Sequence, residues 1–262
     1  MKWLNRGLKN ARVYPWKKAR QFALKPRSPQ LSHNRAVLLM VMVTLMWSTA
    51  GVVTRHLESA RSFEVTFWRA FFTVASLSLL LPWVSGKAVF RNTLRAGRSF
   101  RLSAACWSVM FTAFMVALTL TTVGNVLVTM SVGPLLTAII ARVFIGQTIP
   151  KRTWVAVWVA GAGIVYMYAS QLGSVSLAGT LVALCVPLAG ATNWTVTQHA
   201  HDQGHDVDLM PAVWAGGLSS CVATLPLALP LQATGHDVLL LGFLGVFQLA
   251  VPCVLSVRCA QI

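Results

Sequence analysis

The 262-residue chain is 56% hydrophobic and only 11% charged, with a mean hydropathy of +0.65. An ordinary soluble domain carries about 25% charged residues, so too little polar side chain is present to coat a water-soluble globule. The net charge of +16 raises the question of a nucleic-acid partner, but the cations fall in short segments between long uncharged runs. No recognised binding motif accompanies them, so no nucleic-acid role is assigned.

Met1 to Arg35 holds Lys2, Arg6, Lys9, Arg12, Lys17, Lys18, Arg20, Lys25, Arg27 and Arg35 without a single Asp or Glu. Directly before an apolar run, this 1–35 segment reads as a basic cytoplasmic tail touching anionic lipid head groups. Trp3, Leu8, Trp16 and Phe22 interleave with the cations and suit an amphipathic stretch lying on the membrane, while Pro15, Pro26 and Pro29 limit helix there to short pieces. The same acid-free start also fits an organelle transit peptide.

A spanning helix needs about 20 mostly apolar residues, and that ruler predicts an all-α integral membrane protein, a bundle of about eight transmembrane helices. The first two run over Ala36–Thr54 and Phe63–Val84. The uncharged stretch between Arg101 and Arg142 is twice one span long and must reverse, at Thr121–Asn125, giving helices three and four. Thr153 to Gln198 reverses likewise at Ser170–Ser174, giving helices five and six. Helix seven covers Leu209–Leu229, closed by Pro230, and helix eight Val238–Ser256. Lys and Arg check the alternation. Lys87, Arg91, Arg95, Arg98 and Arg101, then Lys151 and Arg152, then Arg258 all fall on the side of the basic tail, whereas the opposite loops hold only Arg55 and Arg61. Both termini are therefore expected in the cytoplasm.

Two clusters are weighed for chemistry. His199, His201, Asp202, His205, Asp206 and Asp208 are metal-ligating types, but the loop lacks a helical HExxH spacing and reads as a solvated polar connection, with no metal assigned. Cys106, Cys185, Cys221, Cys253 and Cys259 show no CxxC pair and read as packing residues. All six histidines are expected in loops or the tail, so no intramembrane base is expected to accompany a nucleophile and no enzyme or cofactor is assigned.

Arg69 carries the sharpest signal, because an ionised side chain inside a span is costly and faces a cavity or a partner. Either it attracts an anionic or carboxylate-bearing substrate, or it pairs with Glu64 or helix-end carbonyls, or it snorkels to the interface. Glu64 reads as the only carboxylate near a span, which gives proton coupling no support. Trp47 and Trp194 stack on a substrate or serve packing. Thr49, Asn125 and Asn193 line a pathway or bridge helices. Pro134 is expected to bend helix four. Gly161, Gly163, Gly216 and Gly217 are expected to allow close helix contact.

Leu45-Met46-Trp47-Ser48-Thr49-Ala50-Gly51, Phe67-Trp68-Arg69-Ala70-Phe71-Phe72, Val132-Gly133-Pro134-Leu135-Leu136-Thr137 and Gly161-Ala162-Gly163-Ile164 together resemble the EamA-type unit of the drug/metabolite transporter superfamily. The resemblance covers one five-helix unit, 36–170. A weaker second copy, 176–262, is laid over it through Ala189-Gly190 on Ala50-Gly51 and through Phe243–Val257 on helix three. What the resemblance implies is an inverted tandem repeat with an incomplete second unit, two helices short of the usual ten, as in a C-terminally truncated member. Gln147 also stands where the family has Glu. The implied function is a permease or exporter of a small polar metabolite working by alternating access in a bacterial inner membrane. The alternative is a truncated or regulatory membrane protein without transport of its own. Expected partners are the metabolite, membrane lipids and further copies of the chain in a homo-oligomer.

Overall fold

The computed structural model describes residues 33–86, 89–94, 97–146, 176–203 and 208–260, with single residues and short stretches between 152 and 166. Among them every regular element is helical. In hydrocarbon each backbone N–H and C=O must be satisfied within the segment, and helices do this. Seven spans are long and apolar enough to cross a membrane among the described residues: Val37–His56, Ser62–Trp83, Arg98–Leu120, Val123–Ile145, Leu177–Asp202, Leu209–Ala228 and Gly235–Leu255. The predicted helix five, its turn at Ser170–Ser174 and the tail before residue 33 lie largely outside the described residues.

The elements are α1 (His33–Val53), α2 (Ser62–Ser85), short α3 (Val89–Leu94), α4 (Arg98–Leu120), α5 (Val123–Met130), α6 (Gly133–Ile145), α7 (Leu177–Asp202), α8 (Leu209–Ala228), α9 (Gly235–Phe243) and α10 (Val251–Ala260). A wide π-helical segment, Leu244–Ala250, joins the last two into one span. The α4–α5 reversal falls at Thr121-Thr122, and the Thr122 hydroxyl caps α5 by accepting from the Asn125 N–H. Ser176 caps α7 in the same way through Gly179.

The predicted fourth span is two helices, α5 and α6, broken at Ser131-Val132 just before Pro134. Proline has no N–H to give and its ring crowds the carbonyl four residues back, so the first ladder cannot continue. The last span starts at Gly235 rather than at Val238, because Thr234 and Asp237 form a capping box that adds a polar first turn. Asp237 is thus a second carboxylate within a span, fully buried, and the reading of Glu64 as the only one is corrected.

Packing centres on α4, which lies against α7 and α8, while α2 lies against α8 and the π segment. Lipid tails are as apolar as leucine, so close contact rather than hydrophobicity drives this association. Glycine supplies the closeness. A Cβ on Gly216 of α8 would stand 2.4 Å from the Trp107 Cβ and 2.7 Å from the Ala104 carbonyl of α4. One on Gly245 would meet the Phe72 Cβ at 2.7 Å and the Arg69 carbonyl at 2.9 Å. Gly161 and Gly163 show no such contact among the described residues, with nothing within 4 Å. Leu77, Leu81, Phe111, Val213 and Leu249 fill one buried cluster, and Val65, Met115, Leu241 and Leu244 another.

Candidate functional site

Arg69 lies seven residues beyond Ser62, the first residue of α2, which puts it about 10 Å along the span at 1.5 Å per residue. It is 3% exposed. Glu64 precedes it by five residues, and five steps of about 100° turn the two side chains about 140° apart on the helix. They cannot share a face. Glu64 instead accepts at Oε1 from the backbone N–H groups of Gln232 and Ala233, at 2.9 and 2.7 Å.

The partner of Arg69 is Gln248, in the π segment. Arg69 Nε and Nη2 both donate to Gln248 Oε1, at 3.2 and 2.8 Å. The π turn makes this meeting possible by bringing the Gly245 backbone hard against α2, where the Thr73 hydroxyl donates to the carbonyls of both Arg69 and Gly245. Such inserted turns recur at functional sites. The guanidinium also lies 5.8 and 5.7 Å from the ring centres of Phe111 and Phe114 on α4, within cation–π range. Among the described residues no carboxylate contacts it.

These groups line a cavity of about 280 Å³ bounded by α1, α2, α4, α5, α7 and the last span. Its wall is apolar and aromatic, with Arg69 and Gln248 as the polar pair, the composition of a small-molecule site with few placed polar groups. Gln248 was not singled out from the sequence. The available signal was its position as the one amide in the otherwise apolar run from Val238 to Leu255.

The other sequence candidates fall in different places. Trp47 lines the same cavity, and its carbonyl lies 3.5 Å from Gln248 Nε2. Thr49 donates within its own helix to the Met46 carbonyl. Asn125 donates to the hydroxyls of Thr121 and Thr180, joining α5 to the α4 end and to α7. Asn193 accepts from Ser103 at 2.6 Å, joining α7 to α4. Pro134 and Trp194 border a separate cleft of about 520 Å³ between α6 and α7, where Trp194 is 56% exposed. His199, His201 and Asp202, expected in a loop, instead continue α7 as its last turn, because no helix-breaking residue directly precedes them; among the described residues no three His, Cys, Asp or Glu side chains converge as a metal site, and His205 and Asp206 lie outside them.

A bundle with seven spans among the described residues is consistent with a multi-pass membrane protein. The profile of the EamA-like transporter family matches residues 34–169, from the start of α1 through the stretch that follows α6. No curated protein and no solved structure is a match. With more than half of its length matched, the chain belongs to the EamA-like transporter family, a member of the drug/metabolite transporter superfamily and a multi-pass membrane protein.

Proposed function

We propose that the protein carries a small polar metabolite across a membrane by alternating access, and that Arg69 receives an anionic or carboxylate group of that metabolite. The observation that carries the reading is a buried guanidinium on a cavity, hydrogen-bonded there to one neutral amide and lying over two ring faces, with the Cys253 thiol on the same wall and, among the described residues, no carboxylate in contact. A buried charge held by neutral groups keeps unspent affinity for a counter-ion, and a guanidinium fork matches a carboxylate.

Two units, 36–170 and 176–262, enter this reading as inverted halves around the cavity. The loops richest in Lys and Arg would face the cytoplasm, together with the basic tail, in a bacterial inner membrane. The test is uptake of a pooled set of labelled metabolites by proteoliposomes containing the full chain. Wild type is expected to accumulate at least one anionic compound above empty liposomes, and Arg69→Ala to lose that uptake. Wild-type uptake by Arg69→Ala would end the role given to Arg69, and no uptake by wild type would end the transport reading.

A further inference from the structure

Gln248 fills the position on Arg69 that a carboxylate would take. The Nε and Nη2 nitrogens form one edge of the guanidinium, the edge that two carboxylate oxygens bind in parallel. Here that edge is given to a single amide oxygen. The amide nitrogen points away, to the Trp47 carbonyl at 3.5 Å, where a hydrogen bond is weak.

The choice of amide has consequences that neither neighbour in chemistry would share. A glutamate at 248 would neutralise Arg69 permanently and shut out an external carboxylate. An apolar side chain would leave the cation without an acceptor. An amide keeps the guanidinium hydrogen-bonded without neutralising its positive charge, and an anion can outbid it because hydrogen bonds with both partners ionised are the stronger ones. The π segment does not depend on this bond for its seat, since Gly245 fastens it to α2 through Thr73 and through backbone contact. The amide is therefore able to swing away without unpacking the helix.

Beyond that pair the cavity wall is mostly aromatic and aliphatic, with Trp47, Trp107, Phe111, Phe114 and Met130 among its residues and the Cys253 thiol beside them. It offers apolar surface to the body of a ligand, and among the described residues no second charge to a second ionised group. We infer that Gln248 is a displaceable stand-in for the substrate carboxylate, and that it makes the site selective for small monocarboxylates with an apolar or aromatic body. The inference rests on the reading of Arg69 given above.

The test uses the full chain in lipid nanodiscs and equilibrium dialysis of radiolabelled phenylacetate, with phenylacetamide as its neutral counterpart. Wild type is expected to bind the acid about tenfold or more tighter than the amide, a difference of one charge-assisted contact. Gln248→Glu should lose acid binding by about tenfold or more while melting at or above the wild-type temperature, because the new carboxylate pairs with Arg69. Gln248→Met should bind the acid more tightly than wild type, since the competing acceptor is gone; a residue that merely touches substrate would show weaker binding. Acid binding unchanged in Gln248→Glu, or weakened in Gln248→Met, overturns the stand-in role and leaves Arg69 in place. Wild type binding both probes alike, or neither, overturns the substrate class. Retained uptake by Arg69→Ala removes the underlying reading of Arg69, and transport itself falls only if wild type accumulates nothing above empty liposomes.

Discussion

Glu64 and Asp237 each reach from the first turn of one helix to the loop that precedes the other. Glu64, at the start of α2, accepts from Gln232 and Ala233 in the loop before α9. Asp237, at the start of α9, accepts from the backbone N–H groups of Glu58, Ser59 and Ala60 in the loop before α2, at 2.9 to 3.1 Å. Both carboxylates are fully buried. Two helix starts with unsatisfied N–H groups and two loops with more of them would otherwise meet without acceptors, and the acids answer both shortages.

Removing Asp237 should therefore unfasten one loop and uncap one helix together. Asp237→Ala is expected to lower stability by about 3 kcal/mol, the cost of leaving several buried donors without an acceptor. Asp237→Asn, which keeps one acceptor oxygen, should cost about half as much. Chemical unfolding in detergent reads both. Combined with Glu64→Gln, the effects should fall short of or exceed their sum, because the two residues share the same pair of loops.

The α4–α8 contact makes glycine at 216 a steric requirement. Gly216→Ala should destabilise by about 1–3 kcal/mol through overpacking against Trp107 and the Ala104 carbonyl. Gly190→Ala serves as the comparison, since its Cβ would meet only the Met110 side chain end at 3.8 Å. Equal melting temperatures for the two variants would contradict the packing described.

Arg69→Lys separates charge from fork geometry. Lysine keeps the cation but cannot present two parallel donors, so uptake of an anionic substrate should fall by about tenfold or more, with KM carrying most of the change. Uptake kinetics at wild-type level would show that a point charge suffices.

Asn193 and Ser103 bridge α7 and α4 outside the Arg69 cavity. Asn193→Ala is expected to cost about 1 kcal/mol of stability and to leave the KM of uptake unchanged. A raised KM with unchanged stability would move Asn193 into the substrate pathway.

The side of the membrane is open to direct labelling. His236, exposed at the start of α9, should, as His236→Cys in a cysteine-depleted background, react with an impermeant maleimide from outside intact cells. Reaction only after the membrane is opened would invert the proposed orientation.

Much of this protein is legible as transfer energy summed along a line. Long uncharged runs, the reversal at Thr121–Asn125, the break before Pro134 and the exceptional position of Arg69 all follow from what each residue costs in hydrocarbon and from the local chemistry of turns and proline. The capping box at Thr234 was also present in the residues, though a ruler that counts apolar side chains stops short of it and leaves Asp237 in a loop. The partner of Arg69 was not available in this way. Glu64 is near in sequence and opposite in charge, yet helical phase turns it away, while Gln248 is 179 residues distant and meets the guanidinium at 2.8 Å.

The sequence by itself determined a membrane-spanning helical chain of the EamA-like transporter family with one cation buried in its second span. Tertiary structure alone decided that Arg69 answers to Gln248, that Glu64 and Asp237 lock two loops, and that Asn125 and Asn193 join helices away from the cavity. The reason is that spanning depends on composition, which is additive along the chain, whereas pairing depends on the depth and rotation at which separate helices come to rest, which only packing sets.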